Sequence, residues 1–279
     1  MRPRPAVQAV RYVGLVVFAA VFALPLYLAL VAATRSAPAF LNGVPTLPGS
    51  QLLDNLRQVF GPGIPNSPPL GSLMANSAAM ALGVAIGKLL LSVPAAFAVA
   101  FFRFRGRMLV FWLIFVTLML PVEVRFFPTY QVTAQLGMLD SFSGLIIPLV
   151  ASATAVFLFR QFFMTFPLEL ADAARLDGIR PLGFLWRIVL PLSKPNLAAV
   201  FVLEFIYGWN QYLWPLLVTS GSHTTVVMGI REMISAAQGF AVPEWNLIMT
   251  VTLLALAPPV VVVVVMQRWF VRGLTAGIS

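Results

Sequence analysis

PLELADAARLDGIRPLGFLWRIVLPLSKP, Pro167–Pro195, is a polar island in an oily chain. It holds three of the nine acids (Glu169, Asp172, Asp177) and four of the eighteen bases (Arg175, Arg180, Arg187, Lys194). On both sides lie continuous apolar runs, several near or above the roughly 20 residues that cross about 30 Å of hydrocarbon. A charged, helix-forming segment between such runs has to face water. With 60% hydrophobic and 10% charged residues, the chain lies outside the range of soluble domains. It reads as an all-α polytopic membrane protein. The runs are continuous rather than alternating, which argues against a β-barrel.

Working outward from the island, six spans are expected: Tyr12–Ala33; Leu73–Phe101, broken by Lys88 and Pro94; Met108–Pro121, continuing irregularly through Pro128; Leu145–Phe163; Leu197–Val218; and Leu247–Met266. Arg2, Arg4 and Arg11 precede the first run as they would a signal peptide. The run is longer than a signal peptide's apolar region, so an uncleaved span is expected. Thirteen Lys and Arg fall on one side (the N-terminus, Arg103, Arg105, Arg107, Arg160, the island, Arg268 and Arg272) and four on the other (Arg35, Arg57, Arg125, Arg231). The positive-inside rule then puts both termini and the island in the cytoplasm. The net charge of +9 sits at the ends of apolar runs as topology signals, not in an aromatic-laced patch for nucleic acid. There is no cysteine, and His223 reads as a loop residue rather than a metal ligand.

Within the island the pattern is short helix, turn, short helix. Pro167 suits a helix start, and Glu169 and Asp172 favour its first turn through the helix dipole. Ala171, Ala173, Ala174 and Leu176 make a compact, small-residue surface that another backbone can approach. Asp177-Gly178 ends the helix, with glycine free to take the left-handed conformation. Pro191 and Pro195 close the segment. On spacing alone, a docking surface and an ordinary solvated loop both remain open.

The arrangement Asp172-Ala173-Ala174, Gly178, then Ile188 and Leu190-Pro191 resembles the EAA loop of ABC importer permeases, with Asp172 where that family usually has glutamate. FIYGWNQYLWPLL (Phe205–Leu217) and QRWFVRGL (Gln267–Leu274) are similar to its carbohydrate, maltose-type class. LMLPVEVRFFPT (Leu118–Thr129), ATAVFLFRQFFMTFP (Ala153–Pro167) and EWN (Glu244–Asn246) are similar to the sn-glycerol-3-phosphate branch. The resemblance implies a type I ABC importer permease fold of six transmembrane helices, a single transmembrane domain over 1–279 with a coupling loop at about 164–195. It implies that Glu169, Asp172, Ala173, Ala174, Asp177 and Gly178 couple to a cytoplasmic ATPase. It also implies a sister permease in a heterodimer, two ATPase subunits that bind ATP and magnesium, an extracytoplasmic substrate-binding protein, and a bacterial inner membrane with its lipid. No cofactor or metal is expected in this chain.

GVAIGKLL (Gly83–Leu90) superficially matches a phosphate-binding loop, but three residues rather than four separate the glycines and Leu89 stands where Ser or Thr would hold magnesium. No paired carboxylates, no Ser/His/Asp set and no metal cluster appear, so no enzyme is expected. The cargo route is less sharply marked. Lys88 and Glu204 are charges within spans, each either a structural pair or a lining of the route. Arg125 is suited to binding a phosphate or to pairing with Glu123. Trp209, Asn210 and Tyr212 are candidate substrate or gate contacts, while Tyr212 and Trp214 also fit an interfacial aromatic belt. The tail is either a frayed end or, as in maltose-type permeases, a contact with the ATPases through Ala276-Gly277. The expected cargo is sn-glycerol-3-phosphate or a glycerophosphodiester. The alternatives are a neutral sugar and, from another class, a secondary transporter.

Overall fold

A computed structural model describes residues 5–41, 43–64, 67–117, 120–237, 239 and 243–275. Every regular element among them is helical. The first half holds α1 (Pro5–Ala33), α2 (Leu52–Phe60), α3 (Leu70–Phe101), α4 (Arg107–Val116), α5 (Val122–Gln135), α6 (Phe142–Ile146) and α7 (Ala153–Phe163). The second holds α8 (Leu168–Leu176), α9 (Pro181–Phe184), α10 (Leu190–Leu192), α11 (Lys194–Trp209), α12 (Leu213–Val218), α13 (Val226–Ala237) and α14 (Trp245–Thr275). Among the described residues three helices are long and apolar enough to cross a membrane: Arg11–Ala33, Leu70–Phe101 and Trp245–Trp269. Two bent pairs, Phe142–Leu149 with Ala153–Phe163 at 46° and Pro181–Leu192 with Lys194–Trp209 at 79°, bring the number to five if each is one span.

Three expectations change. Lys88 and Pro94 do not break the second span. Proline removes one N–H, but Val93, Ala96 and Phe97 around it are buried, and the Ser92 hydroxyl donates to the Ser152 carbonyl at 3.3 Å. Packing on both sides of the proline holds the helix through it. The chain after Pro121 is not irregular: α4 ends at Val116, α5 starts at Val122, and Pro128 lies inside α5. The fifth run does not continue as one helix to Val218, because α11 stops at Trp209.

The chain divides into two compact bodies. One comprises residues 1–72 and 229–257. In it the segment after α1 folds back on the helix end. The Asn55 side-chain amide donates to the carbonyls of Ala33 (2.8 Å) and Arg35 (2.9 Å), satisfying groups that a helix end and the turn after it leave without partners. Asn246, from the EWN stretch, donates in turn to Asn55 Oδ1 at 2.8 Å.

The other body comprises residues 73–228 and 258–279. Its spine is α3. A Cβ added at Gly83 would lie 2.6 Å from Ile146 Cδ1, and one added at Gly87 would overlap Val150. The Gly-x-x-x-Gly spacing that superficially matched a phosphate loop is thus a helix-packing device. A Cβ at Gly208 of α11 would lie 2.9 Å from the Ala81 Cα. Near one end of α3, Met80 and Val84 pack with Leu145, Leu149, Trp214 and Val218. Near the other, Phe97 joins Phe159, Phe163, Phe184 and Ala174. This second cluster seats α8.

Because Val150 closes over Gly87, Gly87→Leu is expected to overpack this contact by about 1–3 kcal/mol. A thermal melt of the purified protein in detergent checks this, with the exposed control Leu90→Ala leaving the midpoint unchanged.

Candidate coupling loop and buried ion pair

The α8 helix ends as the sequence dictates. Gly178 takes φ +70° and its N–H donates to the Arg175 carbonyl at 3.0 Å, while the Ile179 N–H reaches the Ala174 carbonyl at 2.9 Å. This is a Schellman ending, which needs a left-handed residue at that position. A Cβ at Gly178 would meet nothing within 4 Å, so a substitution there is opposed by backbone conformation and not by crowding.

The small-residue surface expected on α8 divides in two. Ala174 is buried, at 3% exposure, in the phenylalanine cluster. Beside it a cavity of about 80 Å³ is lined by Phe97, Phe101, Ala171, Ala174, Ile179 and Phe184. Glu169, Asp172, Ala173 and Asp177 face outward, and Leu176 is 89% exposed. Leu176 is the residue that sequence reasoning grouped wrongly. Ala171 and Ala174, three apart, define the inward face, and Leu176 lies some 200° round the helix from Ala174 at about 3.6 residues per turn. Only Glu169 occupies the first turn. Asp172 lies beyond it and pairs with Arg175 at 2.9 Å. Both side chains are exposed, so that pair contributes little to stability and both charges remain presentable to a partner.

From the island the chain passes through a π-turn at Leu185–Val189, then bends 79° into α11. On α11, Glu204 meets Lys88 of α3. Lys88 Nζ donates to Glu204 Oε2 at 2.6 Å, and the two side chains are 6% and 9% exposed. Ser152 donates to the other carboxylate oxygen at 2.8 Å while accepting from the Ala155 N–H at 3.1 Å as the N-cap of α7. The Lys88 ammonium also sits 3.6 Å from the centre of the Tyr207 ring. One ion pair thus ties three helices, and Lys88 and Glu204, each singled out separately in the sequence, are each other's partners.

The remaining route candidates are spread out. Arg125 is exposed on α5 and close enough to Lys88 for the two charges to interact. The Glu123 side chain lies outside the described residues. Trp209 ends α11 buried and stacked on Phe205 with ring centroids 5.9 Å apart, so it presents no open face here. Asn210 is exposed and Tyr212 half-buried in the break before α12. Trp214 is no interfacial residue: it is fully buried, packs on Phe126, and donates from Nε1 to the Gly144 carbonyl at 3.2 Å. Ala276 and Gly277 lie outside the described residues.

Away from the island, Asp140 takes φ +50° and ties its loop to residues 218–223. Its N–H reaches the Val218 carbonyl at 2.7 Å, and its carboxylate accepts from the Ser220 N–H at 3.2 Å and the Ser222 hydroxyl at 3.0 Å. His223 Nδ1 lies 3.4 Å from the same oxygen. The Ser220 N–H above all, with Ser222 and His223, holds this carboxyl below its ordinary value. A depressed carboxylate stabilises above its unfolded pKa, and that contribution is lost as pH falls through the folded one. The carboxylate's share of the tie is therefore present at neutral pH and is lost in acid, while the backbone bond to Val218 does not titrate.

Comparison with known proteins places this geometry. Residues 88–276 match the model of the family described as binding-protein-dependent transport system inner membrane component. The chain belongs to that family. It is 55% identical, over 90% of its length and 89% of the relative's, to the sn-glycerol-3-phosphate transport system permease protein UgpE of Yersinia pestis bv. Antiqua. It is 53% identical, over 94% of both chains, to UgpE of Yersinia enterocolitica serotype O:8, and 55% identical, over 91% of both, to UgpE of Salmonella choleraesuis. Among solved structures, a bacterial ABC transporter involved in the import of the acidic polysaccharide alginate superposes with a TM-score of 0.80 at 22% identity, covering 97% of this chain and 98% of that one. This likeness shows that the permease fold is shared. The chain is thus an inner-membrane transport component and not an enzyme. Membership implies work alongside a partner permease, an ATPase and a binding protein.

Removing one member of the buried pair, by Lys88→Met or Glu204→Leu, is expected to cost about 3–5 kcal/mol by stranding a charge. The double substitution is expected to recover most of that loss. Thermal denaturation of the three variants forms the cycle that checks it.

Proposed function

We propose that this chain is a membrane-spanning permease subunit of an ATP-driven importer for sn-glycerol-3-phosphate or related glycerophosphodiesters, working by alternating access. The observation that carries the cargo is the 53–55% identity, over at least nine tenths of the chain, to permeases of the sn-glycerol-3-phosphate transport system. In this reading six spans cross the membrane with both termini in the cytoplasm, and residues 1–279 act as one transmembrane domain. The chain pairs with a sister permease. Two ATPase subunits bind ATP and magnesium, and a loaded binding protein docks on the extracytoplasmic loops.

The island takes up the motion of the motor. Glu169, Asp172, Ala173, Asp177 and Gly178, with Leu176 projecting from them, contact the ATPase. Ala174 anchors the same helix to the bundle from behind, and Ala276-Gly277 of the tail reach between the ATPases. Closure of the ATPases on ATP shifts α8. The shift passes through the bend after Leu192 into α11, and Glu204 carries it to α3 and α7. Only contacts that differ between the two states can drive the switch. Along the route, Lys88 enters as a neutral unit with Glu204, Trp209 backs the wall, and Asn210 and Tyr212 at the α11–α12 break face the cargo. Arg125, with Glu123 nearby in sequence, supplies the charge that receives a phosphate.

Two measurements on the reconstituted transporter test this reading. Gly178→Val forces a β-branched residue into a left-handed position at a cost of about 1–2 kcal/mol. It is expected to leave the complex assembled but to uncouple ATP hydrolysis from uptake, while Gly178→Asn retains coupling; equal uptake by both would contradict it. Arg125→Ala is expected to lower sn-glycerol-3-phosphate uptake by about tenfold or more, as loss of a charge-assisted hydrogen bond does. Undiminished uptake in that variant would remove the anion-binding role.

A further inference from the structure

The turn between α3 and α4 reads FRFRGR, Phe102–Arg107, and is built against the ordinary rules of a helix start. Helix N-termini carry partial positive charge and attract acids. The α4 helix instead has Arg107 as its first residue, no acid in its first turn, and the left-handed Gly106 as an N-cap with no side-chain hydrogen bond. Arg103 and Arg105 precede it, both exposed. A fourth cation arrives from α7: the Arg160 guanidinium lies 4.0 Å from the centre of the Phe111 ring, one turn along α4, near enough to Arg107 for the two charges to repel. Among the described residues no acid forms an ion pair with any of the four. The Arg160 Nε is buried without a hydrogen-bond partner, and Arg107 makes a single long bond, 3.4 Å, to the Phe102 carbonyl. Topology alone asks only for positive charge on this side. It does not ask that Arg107 and Arg160 meet at the positive end of a helix, with Arg107 two residues from Arg105 and four from Arg103, and with no acid among the described residues paired to any of them.

We infer that this cluster is a binding site for the headgroup phosphate of an anionic phospholipid. The choice of a lipid over free phosphate rests on what adjoins the charges. Phe102, Phe104 and Met108 are exposed beside them, and α4 continues with Leu109, Trp112, Leu113 and Val116, all exposed. A charged cluster running directly into an exposed apolar helix face matches a molecule with an anionic head and apolar chains. Guanidinium groups suit the head, since they bind phosphate oxygens in pairs. Phe102 also lines the cavity beside Ala171, Ala174 and Arg175 of α8, so the site adjoins that helix, but it does not depend on which cargo is carried.

The test uses the whole transporter, purified with its partner subunits in phosphatidylcholine nanodiscs doped with phosphatidylglycerol, and counts retained phosphatidylglycerol by mass spectrometry. Basic residues near a membrane surface contribute roughly fivefold each to anionic-lipid binding. Arg105→Gln is therefore expected to lower retention about fivefold, and Arg103→Gln, Arg105→Gln and Arg107→Gln together on the order of a hundredfold. Lysine at the same three positions keeps the charge that sets topology and is expected to retain most of the lipid. Added inorganic phosphate is expected not to displace it. Unchanged retention in both glutamine variants would overturn the site. So would displacement by inorganic phosphate, which would make it a site for the free anion. Equal loss in the lysine variant would overturn the charge argument.

Discussion

Lys88 and Glu204 can be buried only because they are buried together. A lone charge at the centre of a span costs about 2.5–3.5 kcal/mol even on insertion scales. At 2.6 Å, with Ser152 on the second carboxylate oxygen, the pair is neutral and hydrogen-bonded on both sides. It fixes the register of α3 against α11 and the start of α7. Gly83 and Gly87 let α3 approach the segment that holds Ile146 and Val150, and Gly208 lets α11 approach α3 at Ala81. The same cost of burying a charge without a counter-charge explains the island. Its acids and bases are exposed because no partner inside the bundle takes them up.

The two faces of α8 divide its work. Ala174 and Ala171 fit small side chains against Phe97, Phe101 and Phe184, so the helix is seated on the bundle by packing. Leu176, Asp172 and Asp177 are left over by that packing and face away. A helix seated on one side and presenting charge plus the nearly bare Leu176 on the other suits a docking element. The bent continuation into α11 connects this helix to Glu204, which holds the buried pair.

Much of this was legible in the sequence. The helical class, the island's helix–turn–helix pattern and the glycine ending at Gly178 followed from hydropathy and turn chemistry, because each is decided locally. The Gly83–Gly87 spacing was correctly refused as a phosphate loop, but its packing role needed Ile146 and Val150, which are distant in sequence. The Lys88–Glu204 bond joins residues 116 apart, so each charge could be flagged without its partner being evident. Trp214 misled because an interfacial tryptophan and a buried one with a satisfied N–H share the same neighbours in sequence. Pro94 misled in the other direction: a helix breaker in water is tolerated where packing on both sides holds the helix. Leu176 was missed by grouping residues by size instead of by angle around the helix.

The outward face of α8, and not its small-residue face, is predicted to meet the ATPase. The chain contains no cysteine, so a single introduced cysteine is its one thiol. Leu176→Cys and Ala174→Cys, each in the assembled transporter treated with a short thiol-to-amine crosslinker, read out which face touches the ATPase. Crosslinking of position 176 to the ATPase, strengthened by ATP, with none from position 174, is the predicted result. Crosslinking from position 174 with none from position 176 would contradict it.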